Sequence, residues 1–224
     1  MNVDDVLEKL EELSDSEKKE EVEKFGINTD NSLGGISIPE LRKLAKEIGK
    51  DHSLALKLWE TGVSEAMKLA AMIDIPEKVT SEQMDSWVED FDSWDLCDLV
   101  CQDLFIKTDF VGDKINKWTG SEEEFVKRVG FVLIAERAIH DKKANNEDFE
   151  KYFSIVKREV DDSRNFVKKA ISWALREMGK RNKGLNERVI EVAREIKEDG
   201  SNIAKWISSD VIRELGSDKI QKKI

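Results

Sequence analysis

The sequence predicts an all-α fold built as an array of antiparallel helix pairs. Three observations carry this. Hydrophobic residues at three- and four-residue spacing recur nearly from end to end of the 224 residues, as in helices that bury one face. Two prolines and twelve glycines are too few turn-formers for a many-stranded β fold. Hydrophobic residues make up 39% and charged residues 38%, a mixture that suits a soluble helical chain and argues against disorder, which carries far fewer aliphatics. Residues 1–224 are expected to form a single domain.

The elements follow in order. Val3, Val6, Leu7, Leu10 and Leu13 form one stripe, so the first helix buries that side. The polar, glycine-rich stretch from Gly26 to Gly35 reads as a connection. Ser37 is placed to cap the next helix, with Pro39 in its first turn and Glu40 completing a capping box. That helix runs to Gly49, a C-cap glycine. Further helices are predicted over about 51–61, 63–74, 80–91, 93–106, 109–119, 121–140, 146–160, 163–182, 185–198 and 201–215. Most links are two to six residues, and the helices pair at intervals of roughly 35–45 residues, the scale of HEAT-type repeats. A globular multi-helix domain is the alternative.

Other classes find no support. The nucleotide-binding glycine patterns, HExxH and zinc-finger spacings are missing from the sequence. Cys97 and Cys101 lie four apart on one predicted helix, and His52 and His140 have no ligand spacing to them, so two small buried thiols are expected rather than a metal site. No apolar run approaches the ~18 residues that cross a bilayer. The opening Met1-Asn2-Val3-Asp4-Asp5 lacks the layout of a signal peptide. A cytoplasmic protein without membrane contact is expected.

Net charge is −11, yet the charge is segregated: residues 127–183 hold 15 Lys/Arg against 9 Asp/Glu, and the remainder is strongly acidic. Such an excess can make a local anion site.

Within that stretch, helical geometry places Lys169, Trp173, Arg176 and Lys180 in one narrow arc, with Val167, Ile171, Ala174, Leu175 and Met178 opposite. The core face is complete without the tryptophan. A tryptophan framed by cations suits a sugar–phosphate backbone; alternatively it packs on a neighbouring repeat while the cations snorkel. Upstream, in Ser93-Trp94-Asp95-Leu96-Cys97-Asp98, Ser93 or Asp92 can cap the helix and Asp95 suits its dipole. Asp98 lies beyond the capping positions, one turn after Trp94, on a face expected to include Cys101 and Phe105. A carboxylate beside an indole can stabilise a cationic transition state; a solvated Asp beside a packing Trp is the other reading. Arg128 shares its face with Val132, Ala135 and Ile139, so its guanidinium needs an anion, either a carboxylate such as Asp98 or a phosphate.

Three segments then become recognisable together: Ser32 to Lys43, Asp92 to Asp98 and Lys169 to Glu177. In order and spacing they are similar to the AlkD-like DNA alkylation repair family, from about Phe25 to at least Arg176. The resemblance implies a HEAT-like repeat solenoid, an alpha-alpha superhelix whose concave groove holds duplex DNA. It implies a monofunctional glycosylase of base excision repair that hydrolyses the N-glycosidic bond of N3- or N7-alkylated purines. By the family's W-D-x-x-D motif, Trp94 and Asp98 would be catalytic, with Asp98 stabilising the oxocarbenium-like transition state. Trp173 would be the second sugar-facing indole and Arg128 a phosphate contact, with Lys169, Arg176 and Lys180 binding DNA beside them; Trp94, Asp98, Arg128 and Trp173 would converge on one patch. The partner implied is duplex DNA containing alkylated purines, bound by a monomer that uses no cofactor and no metal. Two other functions stay open: a HEAT-like protein that binds DNA structures without excision, and a protein-interaction scaffold.

Overall fold

The computed structural model describes residues 1–15, 24 and 27–224, and among these all regular structure is helical. Phe25 and Gly26, where the resemblance and the glycine-rich connection begin, lie outside the described residues. The chain forms two compact units, Met1–Val111 and Gly112–Ile224.

The first unit holds α1 (Val3–Leu13), α2 (Ile38–Ile48), α3 (His52–Trp59), α4 (Ser64–Ile73), α5 (Ser81–Glu89) and α6 (Trp94–Asp103), with 3-10 turns at Pro76–Lys78 and Phe105–Lys107. Val6 and Leu10 of α1 are buried, whereas Leu13 is exposed because the helix ends there. The capping box at α2 forms as its residue types dictate. Ser37 Oγ accepts from Glu40 N, and the Glu40 carboxylate accepts from Ser37 N at 2.9 Å. Gly49 ends α2 with φ at +80°, a backbone that favours glycine.

Helix α4 is the centre of this unit. It packs against α1, α2, α3 and α6, and every residue from Ser64 to Ile73 is buried. Two of those residues, Glu65 and Lys68, are ionisable, and burial obliges each to find partners. Next to it, the Trp59 and Trp87 rings stack 3.9 Å apart and nearly parallel, and Trp59 Nε1 donates to Asp90 at 2.7 Å, tying α3 to α5.

The second unit holds α7 (Val111–Trp118, whose first residue belongs to the first unit), α8 (Glu124–His140), α9 (Glu147–Glu150), α10 (Tyr152–Glu159), α11 (Asn165–Gly179), α12 (Lys183–Asp199), α13 (Asn202–Leu215) and α14 (Asp218–Gln221). The helix expected over 146–160 is broken at Lys151. Helix α8 is buried on all sides from Lys127 to Glu136 and packs along α11, which also meets α12 and α13. The apolar face expected of α11 is the one it buries: Val167, Ile171, Ala174, Leu175 and Met178 are each fully enclosed. No helix among the described residues is long and apolar enough to cross a membrane.

Candidate active site and nucleic-acid interface

In the first unit, the first turns of α2 and α4 and one side of α6 meet the Thr29–Ser37 connection around a cavity of about 410 Å³. Its lining includes Trp94, Asp98, Leu99, Lys68, Glu65 and Arg42. Trp94 and Asp98 are both half-buried, one turn apart on the same wall. The other face expected for Asp98 is corrected here. Cys101 and Phe105 are fully enclosed in the core with Leu96, Val100 and Leu104, and Phe105 has left the helix for a 3-10 turn. The core side of α6 is wider than a single stripe, because α4 packs against it; the cavity side runs Trp94, Asp95, Asp98, Leu99, Gln102. Cys97 and Cys101 are buried and not joined in a disulfide, as expected of small core thiols.

The cavity is built by the two buried charges of α4. Glu65 accepts from the Leu33 and Gly34 backbone N–H groups at 3.0 and 3.2 Å and from Ser32 Oγ, folding the connection onto the helix start. Gly34 and Gly35 both have positive φ, which lets the chain turn those N–H groups inward. Lys68 Nζ lies 2.6 Å from the Asp95 carboxylate. Asp95 therefore does more than complement a helix dipole. Ser93 is the N-cap residue of α6, but its hydroxyl makes no capping bond. Asp92 accepts from Asn28 at 2.8 Å, and burial pushes its carboxyl above the usual range.

The other candidates lie in the second unit. Arg128 is only 5% exposed and donates from Nη1 to the Phe166 carbonyl at 2.8 Å, across to the first turn of α11. Its neighbour Lys127 is held by Glu159 at 2.7 Å and Asp162 at 3.2 Å. On α11, Trp173 is half-buried and Lys169 exposed. Arg176 pairs with Glu214 and, at 3.6 Å, with Asp210; Lys180 pairs with Glu177 at 2.8 Å and with Glu214 at 2.5 Å. The basic arc read from the helix is thus partly neutralised by carboxylates of α13, which lie more than thirty residues further along the chain. Among the described residues no three His, Cys, Asp or Glu side chains gather as metal ligands would.

A family model described as DNA alkylation repair enzyme matches residues 6–212. An uncharacterized protein of Listeria innocua is 24% identical over 176 residues, which span 77% of this chain and 76% of the relative. An uncharacterized protein of Listeria monocytogenes is 27% identical over 107 residues, 46% of this chain and 48% of the relative. Among solved structures, a protein described as one of a new family related to the HEAT-like repeat DNA glycosylases, with affinity for branched DNA structures, superposes with a TM-score of 0.77. It is 21% identical, and the match covers 96% of this chain and 95% of that one. The likeness carries the fold: the architecture is the all-α, HEAT-like repeat type that the helix spacing and the resemblance predict.

Proposed function

Because the chain belongs to the DNA alkylation repair enzyme family, we propose that it is a monofunctional DNA glycosylase that removes N3- and N7-alkylated purines from duplex DNA. The observation that supports this best is the cavity wall on which Trp94 and Asp98 lie side by side, with the other aspartate of the motif, Asp95, committed to Lys68. An alkylated purine of this kind is cationic and leaves readily, so no strong general acid is required. The glycosidic bond breaks with its electron pair going to the base, which departs neutral. Positive charge builds on the deoxyribose, where the Asp98 carboxylate stabilises it and takes a proton from the attacking water. The Trp94 indole offers its electron-rich face to the same sugar.

In this reading Trp173 is the second sugar-facing indole and Lys169 a backbone contact. Arg128 orders the start of α11 beside the phosphate it binds. Arg176 and Lys180 contribute less to affinity than free cations, because a phosphate has to displace the carboxylates they already hold. The protein would work as a cytoplasmic monomer without a cofactor.

The test is incubation with a duplex carrying a single N7-methylguanine, reading free base released above the spontaneous rate. Binding without release would favour the second reading, a protein that binds branched DNA structures without excision. The structural neighbour's described affinity speaks for that reading. Competition by a four-way junction against the linear duplex separates the two.

A further inference from the structure

A second cavity, of about 400 Å³, lies at the opposite, C-terminal ends of α2, α4 and α6. Its lining holds four cations, Arg42, Lys46, Lys50 and Lys107, against one carboxylate, Asp103. This concentration is unusual in a chain whose net charge is −11. Arg42 occupies Asp103 at 3.0 Å, so three ammonium groups face the cavity without a carboxylate among its lining residues. The nearby Asp74 carboxylate is taken up by His52 at 2.6 Å, the Ile75 N–H at 2.7 Å and Gln83 at 2.8 Å.

Two of the lysines are tethered. Lys50 Nζ donates to the Met72 and Asp74 carbonyls at 3.0 and 2.6 Å, at the end of α4. Lys107 Nζ donates to the Asp103 carbonyl at the end of α6. Cations at helix C-termini offset the dipole, but that role does not require two of them to converge. Their convergence adds to a cost: burial first, and the charge of Lys107 second, push Lys50 below the ordinary lysine range against the opposing pull of the Asp74, Asp103 and Glu77 carboxylates. An anion in the cavity removes that cost, and the tethers hold the donors in place for it. Arg42 lines both this cavity and the one that holds Asp98, so the two adjoin along α2.

We propose that Lys46, Lys50 and Lys107, with Arg42, form a phosphate subsite that takes a backbone phosphodiester of the DNA strand whose sugar lies against Asp98. This rests on the DNA-processing reading above and extends it to residues outside the basic stretch at 127–183. Cations that neutralise backbone phosphates set the salt dependence of DNA binding, with a log–log slope of about 0.9 per phosphate.

The experiment measures duplex affinity across a salt series for the unaltered protein, for Lys46→Gln/Lys107→Gln, and for Lys222→Gln/Lys223→Gln. The last pair lies in the C-terminal turn and removes the same charge elsewhere. The cavity variant is expected to bind at least about tenfold more weakly at low salt, with a slope shallower by about 0.9 for each phosphate lost. The C-terminal variant should bind nearly as the unaltered protein does. Equal weakening by both pairs, which would reflect net charge alone, overturns the subsite, as does an unchanged slope in the cavity variant. Lysine acetylation footprinting separates the sources of phosphate. Duplex DNA should protect Lys46 and Lys107, whereas protection by millimolar inorganic phosphate but not by DNA overturns the assignment to a strand. If the unaltered protein fails to bind duplex even at low salt, the DNA-processing reading fails first and the subsite with it. That result is distinct from intact binding that ignores the lysines.

Discussion

Lys68 Nζ lies 2.6 Å from the Asp95 carboxylate, and both side chains are largely buried. Lys68 comes from a helix enclosed on every side, Asp95 from the first turn of the helix beside it. The pair divides the work of two aspartates three residues apart. Asp95 balances a buried charge and secures α6 to α4, while Asp98 faces the cavity beside Trp94.

The division predicts opposite effects for two like substitutions. Asp98→Asn keeps the shape and removes the charge; it should spare DNA binding and slow excision by roughly 10²- to 10³-fold in single-turnover assays. Asp95→Asn should instead lower the unfolding midpoint, because Lys68 is left buried without a full counter-charge. If the two variants lose activity and stability in the same proportions, the assignment of roles is wrong.

Removing the other half of the pair should be more damaging. Lys68→Met leaves Asp95 as an uncompensated carboxylate and is expected to cost about 3–5 kcal/mol of unfolding free energy. Replacing both residues by apolar ones, as Lys68→Met with Asp95→Leu, should recover most of that loss. Urea denaturation of the single and double variants measures the coupling; additive losses would show that the pair does not interact.

Acid stability should depend on Asp162. Burial pushes its carboxyl up, but hydrogen bonds from the Arg164 side chain and backbone and from Lys127 outweigh that and hold it at about 2. A carboxyl depressed in the folded state adds stability above its unfolded pKa, and that contribution is lost as pH falls through the folded value. The window therefore runs from about pH 4 down to about pH 2, and the contribution at neutral pH is about 2 kcal/mol. Asp162→Asn should be less stable at pH 7 and should flatten the stability profile in that window. An unchanged profile in Asp162→Asn contradicts the pairing.

Gly130 should tolerate no side chain. A Cβ there would meet Thr119 N at 2.6 Å and the Thr119 methyl at 2.8 Å, where α7 ends against α8. Backbone cannot yield as a flexible side chain can. Gly130→Ala is thus expected to lose about 1–3 kcal/mol, despite alanine's better helix propensity. A thermal melt that rises in Gly130→Ala would contradict the close approach.

Much of the local structure was legible because it is decided by neighbours in sequence. The capping box at Ser37 and Glu40 follows from residue types three apart. The enclosed face of α11 follows from 3.6-residue periodicity, and so does the placing of Trp94 and Asp98 one turn apart. The partners of charged groups were not legible. Nothing local marks Glu65 as the anchor of the Ser32–Gly34 backbone, or Asp210 and Glu214 as the holders of Arg176 and Lys180. Counting charge in windows found the basic stretch at 127–183 but missed the group formed by Arg42, Lys46 and Lys50, on and just after α2, with Lys107, which the fold brings from the turn after α6.

By itself, then, the sequence determined the helices, their caps and the order of the family's motifs, since hydrogen bonding and periodicity act over a few residues. Tertiary structure decided which charges stay available. A buried lysine or carboxylate takes whichever opposite group packing brings within about 3 Å, and along the chain that group can be thirty residues away. Asp95 and Asp98 look alike in the sequence and both line the cavity; only the packing of α4 against α6 sets Asp95 against Lys68.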